Sequence, residues 1–375
     1  MTKRISSTSI PKGADEMNEQ SKRRLHRRMG AAMILWIMSV LLLWSAWLPA
    51  SANAAEGGQA LTDLDCKTNA TARKHLVNVA VATLWTEPGL ARKLDAPSLT
   101  SPVDMNAWTK AMNTADKRRW LTGKTETQAL YGQELRLLQV KGDWAYVAVV
   151  GQSTPKSSYG YPGWMPKAQM LTVNDASSYS NCSIAVVSDK TTTLYGEDRR
   201  TDLMELSFNT RLPITERIDG WIGVHLPDDH TGWLKESAVK VIDPSKELPA
   251  PTAAEIIATG KRFLGLPYLW AGVSAYGFDC SGFTSTIYGF HGINLPRDAS
   301  AQIKEGKAVS WNELKPGDLM FFAHKQGKGS VHHVSMYIGN GQMMHSPKAG
   351  KTVEIISINT PAYKTEFAGA RRYIQ

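Results

Sequence analysis

The chain has 375 residues, of which 42% are hydrophobic and 21% charged, with 30 glycines and 18 prolines. That length excludes a single small module, that balance excludes a disordered or collagen-like chain, and three cysteines are too few for a disulfide scaffold or a run of structural zinc sites. The formal charge of +9 invites a nucleic-acid reading, which its distribution along the chain removes.

Residues 1–29 hold eight basic side chains against Asp15, Glu16 and Glu19, a local net of +5. Residues 30–55 carry no charge, and the apolar run 31–48 leads through Pro49 to the small residues Ala52-Asn53-Ala54. A basic start, an apolar middle and a small-residue end read as a secretory signal over 1–54, cleaved after Ala54. Taking its +5 from +9 leaves +4 on a 321-residue mature chain, so the basic excess is an export feature and no nucleic-acid partner is expected. The alternative is an uncleaved anchor, since these 26 uncharged residues can span a hydrocarbon core of ~30 Å. Only in that case would the protein touch a membrane. Exported thiols tend to oxidise. Pairing Cys66 with Cys182 would leave Cys280 free; the bland alternative is three unpaired thiols.

Residues 77–85 alternate and are β-branched, and 134–150 give two more such runs around Gly142-Asp143. A second region repeats the pattern. Leu84-Trp85 is echoed by Leu194-Tyr195, Gly142-Asp143-Trp144 by Gly220-Trp221-Ile222, and Gly163-Trp164-Met165 by Gly232-Trp233-Leu234. The first copy is longer, with insertions over 153–161 and 88–120, the latter holding a short predicted helix at 104–112. Short strands, tight turns and paired tryptophans resemble two bacterial SH3-type barrels, at 55–176 and 177–243. Residues 244–252, with three prolines, a serine and two charges, read as a linker. A new domain over 253–375 opens with a predicted helix at 253–264, where Ile256, Ile257, Phe263 and Leu264 recur at helical spacing.

Within that domain, Asp279 is a predicted N-cap that puts Cys280 in the first turn of a helix, amphipathic over 283–288. Unsatisfied N–H groups and the positive end of the helix dipole favour a thiolate there; the bland reading is a buried structural cysteine. Downstream, residues 333–338 alternate, with Val334, Met336 and Ile338 on a core face and His333, Ser335 and Tyr337 on the face away from it. Gly339-Asn340-Gly341 signals a hairpin that returns with His345. Parity decides whether the histidines meet. A three-residue loop pairs Ile338 with Gln342, a register sum of 680, and puts His333 and His345 on one face; a two-residue Asn-Gly turn gives 681 and puts them on opposite faces. Only the first lets His345 orient His333 as the third member of a nucleophile, base and orienter set. Otherwise His345 is a polar strand end. His332, pointing the other way, is an ordinary polar residue. A zinc site from Cys280, His333 and His345 would use the same residues but lacks an evident fourth ligand, so neither metal nor cofactor is expected.

Leu266-Pro267-Tyr268-Leu269-Trp270, Phe278-Asp279-Cys280-Ser281-Gly282, Leu295-Pro296-Arg297, Lys315-Pro316-Gly317-Asp318-Leu319, His333-Val334 through Gly339, and His345 together resemble the NlpC-type cell-wall cysteine peptidases. The resemblance runs from about residue 253 to Gly369-Ala370-Arg371-Arg372. With two SH3-type modules ahead of it, the chain is similar to the γ-D-glutamyl-L-diamino acid endopeptidases that recycle peptidoglycan stem peptides. This implies an α+β papain-like catalytic domain preceded by two small all-β SH3-type barrels, with Cys280 as nucleophile, His333 as base and His345 as orienter. It also implies that Tyr268, Trp270, Asp279, Ser281, Arg297 and Asp298 belong to the substrate cleft. An acidic residue and a tyrosine of the first barrel would close one end, and the matching segments 125–128 and 160–164 point to Glu126 and Tyr161. The implied enzyme is secreted or wall-associated and cuts the bond between γ-D-Glu and lysine or diaminopimelate in peptidoglycan-derived peptides with a free N-terminal L-Ala. The alternatives are an autolysin acting on stems still attached to glycan and a wall-binding protein whose catalytic domain is inactive. The intact cysteine and histidine set argues against the last. One departure stands out: Ser335 occupies a position where glycine is usual.

Overall fold

In the computed structural model, residues 70–177, 182–247 and 249–374 are described. The expected signal segment and Cys66 lie outside the described residues. Cys182 is buried and disulfide-bonded, whereas Cys280 is a free thiol.

The repeat legible in the sequence is a repeat of topology. One seven-stranded antiparallel sheet runs in the order Thr125–Leu130, Val81–Trp85, Tyr161–Pro166, Trp144–Val149, Glu134–Lys141, Ala70–Val77, Met170–Ser177. The second has the same order: Asp202–Ser207, Thr191–Tyr195, Thr231–Lys235, Trp221–His225, Arg211–Ile218, Ile184–Val187, Val239–Ile242. The aromatic echo is a cross-strand contact in both, Trp85 opposite Trp164 and Tyr195 opposite Trp233. Each sheet curls round its own aliphatic core, Leu84, Val147 and Met165 in the first and Leu194, Ile222 and Leu234 in the second. The long insertion in the first copy contains α1 (Met105–Ala111), whose N-cap Asp104 accepts the Ala107 N–H at 2.8 Å. It buries Met105 and Trp108 against the outside of that barrel.

The C-terminal domain begins with α2 (Ala253–Lys261), held by a capping box between Thr252 and Glu255. Ile256, Ile257 and Phe263 are buried as expected, but the helix ends at Lys261 and the chain turns tightly, which leaves Leu264 41% exposed. Next comes α3 (Cys280–Phe290). It is not amphipathic: of its residues only Ser285 is not buried, because the sheet covers one side and Val186 and Phe208 of the second barrel cover another.

The sheet has six antiparallel strands, β1 (Lys307–Val309), β2 (Leu319–Ala323), β3 (Val331–Gly339), β4 (Gln342–His345), β5 (Glu354–Ser357) and β6 (Phe367–Arg372), in the order β1-β6-β2-β3-β4-β5. Val334 and Met336 pack with Phe283 and Ile287 of α3. The face expected to lie away from the core is buried too: Met320, Phe322 and Met343 share it with His333, Ser335 and Tyr337, and Tyr363 of α4 (Pro361–Glu366) packs over it. The Lys-Pro-Gly-Asp-Leu run before β2 is joined to the C-terminal strand: buried Asp318 accepts the Lys315 N–H at 2.7 Å and the Arg372 guanidinium at 2.7 and 2.8 Å.

Candidate active site

Cys280 is the first residue of α3. The Asp279 carboxylate accepts the Gly282 N–H at 2.6 Å, the side-chain cap expected from the sequence. A Cβ on Gly282 would lie 2.0 Å from the Gly272 carbonyl oxygen, so only glycine lets the preceding loop press against the helix start. Arg297 fixes the same corner from below. Its Nη1 and Nη2 donate to Asp279 at 3.1 and 2.6 Å, Nη1 also to Ser281 Oγ at 3.1 Å, and Nε to Thr127 Oγ1 of the first barrel at 3.0 Å. With 2% of its surface exposed and four of its five N–H groups taken, Arg297 lies beneath the cleft floor rather than in the cleft.

The hairpin resolves the parity question in an unexpected way. Asn340 and Gly341 both have positive φ, 51° and 68°, and Gly339 pairs with Gln342, which is the two-residue turn and the register sum of 681. A register shift between Tyr337 and Gly339 then changes the parity, so that Met336 pairs with Met344 and Tyr337 with Met343, the sum of 680. His333 and His345 therefore share a face, and His333 Nε2 lies 2.8 Å from His345 Nδ1. That leaves Nδ1 of His333 as the ring nitrogen open to other chemistry. Tyr363 packs on both imidazoles, at 5.5 and 5.1 Å between ring centroids.

The electrostatics run against the expected thiolate. Burial, and then the charge of Asp279, push the Cys280 thiol up to about 12, against the pull of backbone N–H groups of Val334 and Ser281 and the charge of Arg297. Burial, followed by the neighbouring His345 and His332, holds His333 well below the ordinary histidine range, and burial alone brings His345 down to about 4. All three shifts favour the uncharged forms, a thiol and two neutral imidazoles. The helix terminus is outweighed by dehydration and by the cap's own negative charge.

Cys280 and His333 line a cleft of about 870 Å³ together with Tyr268, Trp270, Asp279, Ser281 and Asp298. Glu126 and Tyr161 of the first barrel line it as well. The Tyr161 hydroxyl donates to the Asp298 carboxylate at 3.0 and 3.2 Å, and Trp270 Nε1 donates to the Thr125 carbonyl at 3.0 Å, so barrel and catalytic domain share one wall. Burial, then the neighbouring Cys280 and Asp279, raise the Tyr268 phenol well above its usual value, which keeps it a hydrogen-bond donor in the cleft wall.

Two residues of this site have no signal in the sequence. Lys156, from the shorter insertion, pairs with Glu126 and sits 4.6 Å over the Tyr161 ring. Tyr363 follows Pro361 in a stretch with no motif, and only the tertiary fold brings it to the histidines. Among the described residues, the His/Cys/Asp/Glu group whose ligand atoms could share a cation is His324, His332 and Glu366 at the cleft's edge. His332 is exposed and its Nε2 lies 3.2 Å from Glu366.

A free cysteine opening a helix, faced by a sheet histidine that a further polar side chain orients, is the arrangement of papain-like cysteine peptidases; here that further residue is His345. Residues 265–372 match the NlpC/P60 family, and residues 187–241 match the YKFC SH3b2 domain. A γ-D-glutamyl-L-lysine dipeptidyl-peptidase of Bacillus cereus is 49% identical over 304 residues, covering 80% of this chain and 91% of the relative. The Bacillus subtilis protein of the same name is 38% identical over 300 residues, 80% of this chain and 98% of that one. The crystal structure of an NlpC/P60 family protein from Bacillus cereus superimposes with a TM-score of 0.76 at 49% identity, covering 80% of this chain and all of the other. The chain belongs to the NlpC/P60 family of cysteine peptidases and carries SH3-type barrels ahead of its catalytic domain.

Proposed function

We propose that the protein is an exported peptidase that hydrolyses the amide between the γ-carbonyl of D-Glu and the α-amine of an L-diamino acid in cell-wall stem peptides whose N-terminal L-Ala is free. The observation that carries this reading is the shared wall: Glu126 and Tyr161 of the first barrel line the same cleft as Cys280 and His333, and Tyr161 is hydrogen-bonded to Asp298. A free ammonium is read by an anionic pocket, and an acylated amine, neutral and bulkier, gains nothing from such carboxylates. The names of the two Bacillus relatives support the γ-D-glutamyl specificity. The basic and apolar segment 1–54 supports export.

In this reading Cys280 Sγ attacks the γ-carbonyl carbon while His333 Nδ1 takes the thiol proton. The developing oxyanion is met by the backbone N–H of Cys280, which has no intrahelical acceptor, and by the Tyr268 phenol. His333 then returns the proton to the leaving α-amine, and the thioester is cut by a water that His333 deprotonates. His345 holds the His333 ring in place. The test is a digest of L-Ala-γ-D-Glu-L-Lys and its N-acetylated form, followed by mass spectrometry. The free peptide is cut and the acetylated one is not, Cys280→Ala abolishes hydrolysis, and Glu126→Ala loses much activity together with the discrimination. Equal cleavage of both peptides by the native enzyme would overturn the gate and favour action on stems still attached to glycan.

A further inference from the structure

The direction of the hydrogen bond between the two histidines follows from counting protons. For His333 to take the Cys280 proton, its Nδ1 must carry the lone pair. The neutral ring then holds its hydrogen on Nε2 and donates it to His345 Nδ1, 2.8 Å away. His345 is neutral as well, so its one hydrogen is on Nε2. That nitrogen is buried and has no hydrogen-bond partner among the described residues. A buried N–H left unmet is costly, and the opposite tautomer of His345 would remove the cost by moving the hydrogen to Nδ1. His333 would then have to accept at Nε2, with its own hydrogen forced onto Nδ1, where it cannot act as a base.

What prevents this lies one strand away. Glu354 on β5 stands directly opposite His345 on β4, and its carboxylate oxygen is 3.6 Å from His345 Nε2. We propose that Glu354 is a positioning residue whose carboxylate accepts the His345 Nε2–H and so locks the tautomer chain that leaves His333 Nδ1 free to act as base. The carboxylate is one-third exposed and close to hydrogen-bonding distance, so a small rotation closes the contact. The other titratable groups around His345 do not do this. His333 already occupies Nδ1, and Tyr363, packed on the ring from α4, has its phenol held protonated by burial and by Glu354 itself. Outer partners that fix a histidine's tautomer are the usual complement of an imidazole with a defined task.

This inference rests on the catalytic reading above, and its test separates the two. Imidazole nitrogen shifts in 15N-histidine-labelled protein near pH 7.5 report the tautomer without turnover, and can also be taken on Cys280→Ala protein. His345 is expected as the Nε2–H form, becoming a mixture in Glu354→Ala. That variant should lose about ten-fold in kcat with KM nearly unchanged. Glu354→Gln, whose amide oxygen still accepts from Nε2, should recover most of the loss, which a merely structural role would not require. A native His345 protonated on Nδ1, a Glu354→Ala kcat close to native, or a Gln variant no better than Ala would each overturn the inference. Hydrolysis surviving Cys280→Ala would instead overturn the catalytic reading.

Discussion

Cys280 carries opposing influences on one sulfur atom. The helix start and two backbone N–H groups favour the anion, whereas burial and the Asp279 carboxylate oppose it and win, leaving the thiol near 12. An ordinary thiol titrates near ~8.5 and loses its proton progressively above neutrality. Alkylation of Cys280 by iodoacetamide in substrate-free enzyme should therefore be slower than for a free thiol at pH 7 and should still be climbing above pH 9, as followed by peptide mass mapping. A rate that levels off near pH 6 would mean a preformed thiolate–imidazolium pair. The histidines make a second prediction. Both are neutral in the fold, with His345 down to about 4 and His333 well below its usual value of 6.5, while in the unfolded chain both protonate near 6.5. As pH falls below about 6.5 the unfolded state binds more protons, so stability drops through the window towards pH 4. Thermal melts from pH 7 to 4 should show this loss, and His345→Asn, with one fewer proton to gain on unfolding, should show a shallower slope. Equal slopes would remove His345 from the account.

At the scale of single elements, the sequence was most legible where the physics is local. Asp279 marks a helix start because its carboxylate caps it, and Asn340-Gly341 marks a turn because both residues adopt positive φ. The register of the histidine hairpin was legible only as two alternatives. The structure uses the turn of one and, through a shift beside Ile338, the strand pairing of the other, and nothing in the residue types at 337–339 announces that irregularity. The amphipathic reading of α3 failed for a related reason: its outer side is covered by Phe208, more than seventy residues away in sequence. Lys156 was likewise out of reach, since an insertion is visible in a repeat but its destination is not. Its place between Glu126 and Tyr161 is the one that the proposed gate assigns to the substrate ammonium. Binding must displace Lys156, so Lys156→Ala should lower KM for a peptide with a free amino terminus. A partly exposed pair contributes about 0.2–1 kcal/mol, which corresponds to a change of up to roughly five-fold. A raised KM would mean that Lys156 contacts the substrate itself.

At the scale of the whole molecule, the barrels are not appended modules, since they and the catalytic domain belong to one compact unit. The first barrel supplies cleft wall, and its buried Gln128 accepts from the Val273 N–H at 3.2 Å and the Ser274 hydroxyl at 2.9 Å. The second supplies core. Phe208 is fully buried, with ring centroids 5.1 Å from Phe263 and 4.6 Å from Phe290, and Ser207 Oγ accepts the Ala275 N–H at 2.9 Å. The catalytic helix α3 thus packs on a residue outside its own domain, and the domain without that barrel would expose Phe263, Phe290 and the adjoining face of α3 to water. Truncating a buried phenylalanine to alanine costs about 3–5 kcal/mol. If the three parts unfold together, Phe208→Ala should move one calorimetric transition of the entire chain downward, and hydrolysis should be lost over the same temperature range. If they unfold separately, two transitions should appear and the substitution should shift only the part to which Phe208 belongs. The first outcome is expected, because the cluster around Phe208 cannot be divided between barrel and catalytic domain without exposing aromatic surface on both sides.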